Sequence, residues 1–240
     1  MSSGFAGGIN RFLRASLSKG YGAMRGVRNG LTGLLLLCGV AAAEPVTVVA
    51  LGDSLTAGYG LADQAQGLVP QLENWLKARG QDVIVQNAGV SGDTTAGGLA
   101  RIGWALGPDA DALIVALGGN DLLRGIDPAA AKANLEGILQ AAVARKLPVL
   151  LVGMKASTNF GPDYKAAFDA MYPDLAARYG TLLADDFFGG LRTAGADPAD
   201  PASMAAFMQA DGIHPNPEGV RLIVEALGPK VEDLLALSRP

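Results

Sequence analysis

Five apolar runs of strand length punctuate this chain: "VTVVAL" at 46–51, "VIVQNA" at 83–88, "ALIVAL" at 112–117, "PVLLVGM" at 148–154 and "TLLAD" at 181–185. They are apolar nearly throughout instead of alternating, the pattern of strands covered on both faces by helices. Between them, 67–80, 94–106, 127–146 and 163–180 carry Leu, Ala and Trp at helical spacing, and 217–237 adds a last helix. Gly80 and Gly180 stand where helices stop. This unbroken alternation predicts one doubly wound parallel α/β sheet, because right-handed crossovers lay successive helices against its faces. With 240 residues the chain suits one well-buried domain better than two. No internal repeat interrupts 44–240, and the Pro- and Asp-rich "GADPADPAS" at 195–203 reads as a surface loop.

The first 43 residues follow a different logic. Arg11, Arg14, Lys19, Arg25 and Arg28 stand there without one Asp or Glu, followed by the apolar "LTGLLLLCGV" at 31–40 and then Ala41, Ala42 and Ala43. Basic, apolar, small-residue exit is the order of a secretory signal peptide, with cleavage expected after Ala43. The apolar run falls short of the about 20 residues that span a bilayer. Met24 opens a basic segment of ordinary signal length and is an alternative start. Cys38 raises lipidation, but lipoprotein signals place a small residue before the cysteine and Leu37 stands here. Cleavage would leave Glu44 to Pro240 without a cysteine, which excludes disulfides, thiolate catalysis and cysteine-held metals. Five of the 19 basic residues would go and all 23 acidic ones stay, for a net charge of −9. So acidic a domain, with no basic run, is a poor binder of nucleic acid or of anionic membranes.

In an open parallel sheet the ligand site lies beyond the carboxyl ends of the strands. Four segments fall there: Ser54 after the first strand, "NAGVSGDT" at 87–94 after the second, "GGND" at 118–121 after the third, and "DGIHP" at 211–215 before the last helix. His214 is the only histidine, so any imidazole base must be this one. Asp211, three residues earlier, can reach one ring nitrogen and leave the other for a nucleophile. Ser54, at a strand-to-helix turn, would be activated by such a base. The backbone N–H groups of Ser54 and Gly92 and the side-chain amide of Asn120 could receive the developing oxyanion of acyl transfer. Taken singly, each has a plainer reading: a serine there caps a helix, and "GGN" makes a turn. Gly52, Gly58 and Gly60 do not fit the dinucleotide fingerprint, and no lysine follows as in a P-loop.

Joined in this order, "GDSLTAGYG", "NAGVSGDT", "GGND" and "DGIHP" resemble the four sequence blocks of the SGNH, or GDSL, hydrolase family, over nearly all of 46–237. "SGDTTAGGLAR", "LGGNDLLRG", "NFGPDY" and "DGIHPNPEG" are similar to its bacterial periplasmic thioesterase, lysophospholipase and arylesterase branch. The resemblance implies a three-layer α/β/α flavodoxin-like fold with a central five-stranded parallel sheet. It also implies a catalytic triad of Ser54, Asp211 and His214 and an oxyanion hole of Ser54, Gly92 and Asn120. The implied activity is hydrolysis of carboxylic esters and thioesters of acyl chains through an acyl-serine, with no metal or organic cofactor. Carbohydrate acetylesterase with the same triad, or a non-catalytic periplasmic binding module, are the alternatives. The partner expected is a small-molecule acyl ester or thioester, with no nucleic acid, no stable membrane anchor after signal cleavage, and a monomeric, periplasmic or secreted chain. Leu122, Leu123, Phe160 and Tyr164, in segments leaving the strand ends, are the candidate acyl-binding residues. The branch's Gly-Met-x-x-Pro-Pro-Asn-Tyr-Gly is replaced by "GMKASTNFG" at 153–161, so a looser, more polar pocket wall is expected.

Overall fold

The structure, a computed structural model, describes residues 44–197 and 200–239. The signal segment expected at 1–43, with Met24 and Cys38, lies outside the described residues. Five strands appear where the apolar runs predict them: β1 (Val46–Gly52), β2 (Val83–Gly89), β3 (Ala112–Ala116), β4 (Val149–Val152) and β5 (Leu182–Ala184). All pair in parallel, in the order β2-β1-β3-β4-β5. β3 and β4 are buried along their whole length, as continuous apolar runs require. β2 is different. It lies at the sheet edge, burying Val83 and Val85 while Ile84, Gln86 and Asn87 are exposed, so helices do not cover both of its faces.

Among the described residues four long helices join successive strands, α2 (Leu68–Lys77), α3 (Thr95–Ala105), α5 (Pro128–Ala144) and α6 (Pro162–Tyr179), and a fifth, α9 (Pro217–Ser238), follows β5. The chain steps outward from β1 to β2, then crosses back to β3 and continues through β4 to β5. With right-handed crossovers this reversal puts α2 on one face and α3, α5 and α6 on the other. The packing agrees, since α3 contacts α5, α5 contacts α6, and α9 returns to lie against α2. α9 buries Val220, Ile223, Val224, Leu227, Val231 and Leu234 at helical spacing. Each such side chain contributes about 1.5–3 kcal/mol when fully buried. Four short helices fill the loops: α1 (Ser54–Ala57), α4 (Gly119–Leu123), α7 (Gly189–Thr193) and α8 (Pro201–Ala205). α8 begins inside the stretch read as a loop, because Asp200 accepts from the Ala202 N–H and Pro201 takes the first helical position, where its missing N–H costs nothing. Among the described residues no helix is long and apolar enough to cross a membrane.

Register places the site. Gly52, the last residue of β1, pairs with Gly89 of β2 and Ala116 of β3, so three strands end level. The segments that leave them emerge side by side.

Candidate active site

β1 passes into α1 through Asp53, not Ser54. The Asp53 carboxylate accepts from the Leu55 N–H at 3.0 Å and its carbonyl from the Ala57 N–H at 2.9 Å, so the aspartate is the cap. That leaves Ser54, the first helical residue, with its hydroxyl uncommitted to the helix. α1 is only four residues long, so its N-terminus offers individual N–H groups and no macrodipole, which needs a run of aligned peptides. β2 comes close enough to α1 that a Cβ on Gly89 would lie 2.4 Å from the Ala57 nitrogen. Only glycine fits there.

Ser54 Oγ lies 2.8 Å from Nε2 of His214, and Nδ1 of His214 lies 2.7 Å from Oδ2 of Asp211. The other Asp211 oxygen accepts from the backbone N–H groups of Ile213 at 2.9 Å and His214 at 3.0 Å. The His214 ring, and after it those two N–H groups, hold the Asp211 carboxyl down at about 2. A charged carboxylate only accepts, so Nδ1 carries the imidazole proton and Nε2 keeps its lone pair toward Ser54. This is the arrangement of a general base. The Tyr59 ring packs against the imidazole with centroids 4.8 Å apart.

The turn after β2 is tied to the end of β1: the Val90 N–H and the Arg101 guanidinium both donate to the Gly52 carbonyl, at 3.0 and 2.9 Å. Arg101 also pairs with Asp93 at 2.6 Å, and Arg124 donates to the Gly92 carbonyl at 2.8 Å. Gly92 adopts φ +84°, a conformation open to glycine and costly for other residues. After β3, Gly118 turns the chain into α4, which carries Asn120 on the side of Asp53 and sends the fully buried Asp121 to the Thr95 N–H and hydroxyl at 2.8 and 2.6 Å. Asp53 and Asp121 were not singled out in the sequence. An Asp one residue before a serine at a strand end is a cap signature and the one signal that would have found Asp53.

Asn120 Nδ2 donates to Asp53 Oδ2 at 3.3 Å. Burial pushes the Asp53 carboxyl up, opposed by the Leu55 N–H and the Asn120 amide, so as pH falls it protonates before an ordinary aspartate. As a carboxylate it offers one acceptor to Leu55 and another to Asn120. An asparagine has a single acceptor, so Asp53→Asn must set its NH2 against one of those two donors and release the Asn120 amide to flip. With Asn120 in the oxyanion role expected of it, Asp53→Asn should lower ester kcat by about 10²-fold, the usual loss for one such donor, with KM unmoved. Steady-state kinetics on a p-nitrophenyl ester measures it, and an unchanged kcat would show that Asp53 does not orient Asn120.

Ser54 and Asn120 open into a cleft of about 240 Å³ whose apolar wall includes Leu122, Met154, Phe188, Met204 and Met208. Leu122 and Leu123 line it as the sequence suggests. Phe160 and Tyr164 do not. They pack on each other with centroids 5.1 Å apart, outside the cleft. Phe160 lies against Gly125, where a Cβ would meet its ring at 2.7 Å, and the Tyr164 hydroxyl donates to the Ile126 carbonyl at 2.9 Å. Both residues brace the 121–127 segment from behind. Ser157 and Thr158 are exposed and lie off the cleft, so the polar wall expected from them is not there; Lys155 lines it instead. Phe188, Met204 and Met208 escaped the sequence reading because they lie beyond β5, around the stretch taken for a loop. No local pattern marks them, since α8 ends at Ala205 and Met204 and Met208 share no helix.

A profile of the GDSL-like lipase/acylhydrolase family matches residues 50–222. The chain is 40% identical over 208 residues to Esterase TesA of Pseudomonas aeruginosa, covering 86% of this chain and 97% of that one. To thioesterase 1/protease 1/lysophospholipase L1 of Escherichia coli K12 it is 33% identical over 202 residues, covering 84% and 90%. Among solved structures, the SGNH-hydrolase family esterase AlinE4 superposes with a TM-score of 0.64 at 43% identity, covering 80% of this chain and 98% of that one. A crystal structure of TesA superposes at 0.69 with 39% identity, covering 78% and 99%. The protein is an ester hydrolase and belongs to the GDSL-like lipase/acylhydrolase family.

Proposed function

We propose that this protein is an exported serine hydrolase that cleaves carboxylic esters and thioesters of acyl chains through an acyl-serine. The observation that carries the reading is the hydrogen-bonded series Ser54, His214, Asp211 opening on an apolar cleft. Ser54 Oγ attacks the acyl carbonyl as its proton passes to His214 Nε2. The carbonyl oxygen, now negative, is received by the N–H groups of Ser54 and Gly92 and the Asn120 amide. Collapse breaks the bond to the alcohol or thiol, which leaves with the proton from Nε2. Water then enters, gives its proton to Nε2 and attacks the acyl-serine, and the acid departs as Ser54 recovers its proton. Asp211 holds the ring and stabilises the imidazolium at both stages.

An apolar wall favours acyl chains over acetylated sugars, since each buried methylene contributes about 0.8 kcal/mol and a sugar would need polar partners. At about 240 Å³ the cleft lies just below the usual range of about 300–1,000 Å³ for ligand sites, which suits a chain of medium length. Treatment with a fluorophosphonate should label Ser54 stoichiometrically, read by mass spectrometry of the digest. No label on Ser54 in active protein would reject the acyl-serine. Leu123, 61% exposed at the cleft, tests the acyl site. Leu123→Ala is expected to lower kcat/KM for p-nitrophenyl octanoate several-fold more than for the acetate, and equal losses would place the chain elsewhere. Export rests on the basic, apolar, small-residue order of 1–43. N-terminal sequencing of the exported chain should begin at Glu44, and a retained leader would refute it.

A further inference from the structure

We propose that Gln209 is a positioning residue, a staple that holds the base-bearing loop against the nucleophile turn and so sets the reach of His214 to Ser54. The proposal rests on the serine-hydrolase reading above. Asp211 and His214 both belong to a hairpin-like loop, 207–216. An antiparallel bridge of Met208 with Pro215 closes it, together with hydrogen bonds from the Asn216 N–H to the Phe207 carbonyl at 2.9 Å and from the Gln209 N–H to the His214 carbonyl at 2.8 Å. The bond between Asp211 and His214 is therefore internal to the loop. The bond from His214 to Ser54 is not, because it depends on where the loop sits relative to α1 and the turn that follows it.

Gln209 makes that connection. Its Nε2 donates to the Tyr59 carbonyl at 2.9 Å and to the Pro215 carbonyl at 3.0 Å. Two carbonyls need two donors, so the amide has one workable orientation. Tyr59 is the residue whose ring rests on the imidazole, and Pro215 directly follows His214. One side chain thus ties the residue covering the base to the residue beside it. The backbone makes room for it: Gly60 sits at φ +76°, and a Cβ there would lie 2.2 Å from Gln209 Oε1.

Misplacement of a reacting group by about 1 Å costs about 10²-fold in rate. Gln209→Ala, the shape-keeping Gln209→Met and the acceptor-only Gln209→Glu should each lower kcat on p-nitrophenyl acetate by about 10- to 10²-fold, with KM within about twofold. Glu should be worst, since its charge would face two carbonyl oxygens. Labelling of Ser54 by the fluorophosphonate should slow in the same proportion. The chain has one histidine, so the proton between His214 Nδ1 and Asp211 gives a single low-field NMR signal. That signal should persist in Gln209→Met, because the pair it reports is internal to the loop. Wild-type kcat in Gln209→Met overturns the staple. Loss of the low-field signal together with activity also overturns it, by showing that Gln209 builds the loop and does not aim it. Wild-type protein run alongside separates the failures: if Ser54 fails to label there, the serine-hydrolase reading falls and takes the staple with it.

Discussion

Ser54→Ala is expected to lower ester turnover by about 10⁴-fold or more, and His214→Ala by a similar factor, while the double variant falls no further. Nucleophile and base act as one unit, so removing either forfeits nearly the whole contribution, and residual rate comes from binding and the oxyanion donors. What makes Ser54→Ala a clean test is the cap. Asp53 supplies the acceptor that begins α1, and the Ser54 hydroxyl bonds to His214, so the fold loses little. Its thermal midpoint should match wild type, with a stability change within about 0.5 kcal/mol. If Ser54 were instead the helix cap, alanine would cost about 1 kcal/mol and leave activity in place. Near-normal turnover in a folded Ser54→Ala protein would sink the mechanism.

Asp211→Asn should cost about 10³- to 10⁴-fold in kcat, for a reason the local hydrogen bonds dictate. Oδ1 of Asp211 accepts from the N–H groups of Ile213 and His214, so an asparagine keeps its oxygen there and turns its NH2 toward the ring. Nδ1 must then accept, the imidazole proton moves to Nε2, and the nitrogen facing Ser54 becomes a donor that cannot take a proton. The pH dependence separates the roles. Asp211 is held at about 2, below its ordinary value of 3.8, so the support it gives is complete above 3.8 and is lost only as pH falls toward 2. Any acid limb of kcat at higher pH belongs to other groups, among them Asp53, whose carboxyl burial pushes up and whose protonation would release the Asn120 amide. Wild-type kcat should therefore rise with pH above the range in which Asp211 titrates. A flat profile, or an Asp211→Asn loss smaller than about tenfold, would show that the tautomer is not what limits the rate.

The segments that build the site could be named from the sequence because each carries a local signature. Strand-length apolar runs alternating with 3.6-residue periodicity determine a parallel sheet, and the ends of its strands are where unusual polar residues collect. Ser54, Asn120, Asp211 and His214 stood out there by occurring together in one order, since each taken singly reads as a cap or a turn. The cleft walls were less legible. Phe160 and Tyr164 look like acyl contacts because they lie near a strand end in sequence, yet they turn away to brace Gly125, while Met204 arrives from a short helix at the end of a Pro- and Asp-rich stretch and Met208 from the bridge that closes the His214 loop. Which apolar side chains face a cleft is a matter of three-dimensional packing, and one apolar residue there is chemically as good as another.

Residue type and short-range periodicity were enough for the alternation of strands with the long helices, for the serine at the first strand end and for the one histidine available as an imidazole base. Tertiary structure alone decided that Asp53 and not Ser54 caps α1, that Asp53 holds the Asn120 amide, and that Gln209 ties Tyr59 to the His214 loop. Each of the last two joins residues about 70 to 150 positions apart through one hydrogen bond, and no local pattern records which distant carbonyl or carboxylate a polar side chain will meet. Even the Asp53 cap, two residues in span, becomes decisive only once His214 has arrived from the far end of the chain to claim the serine's hydroxyl.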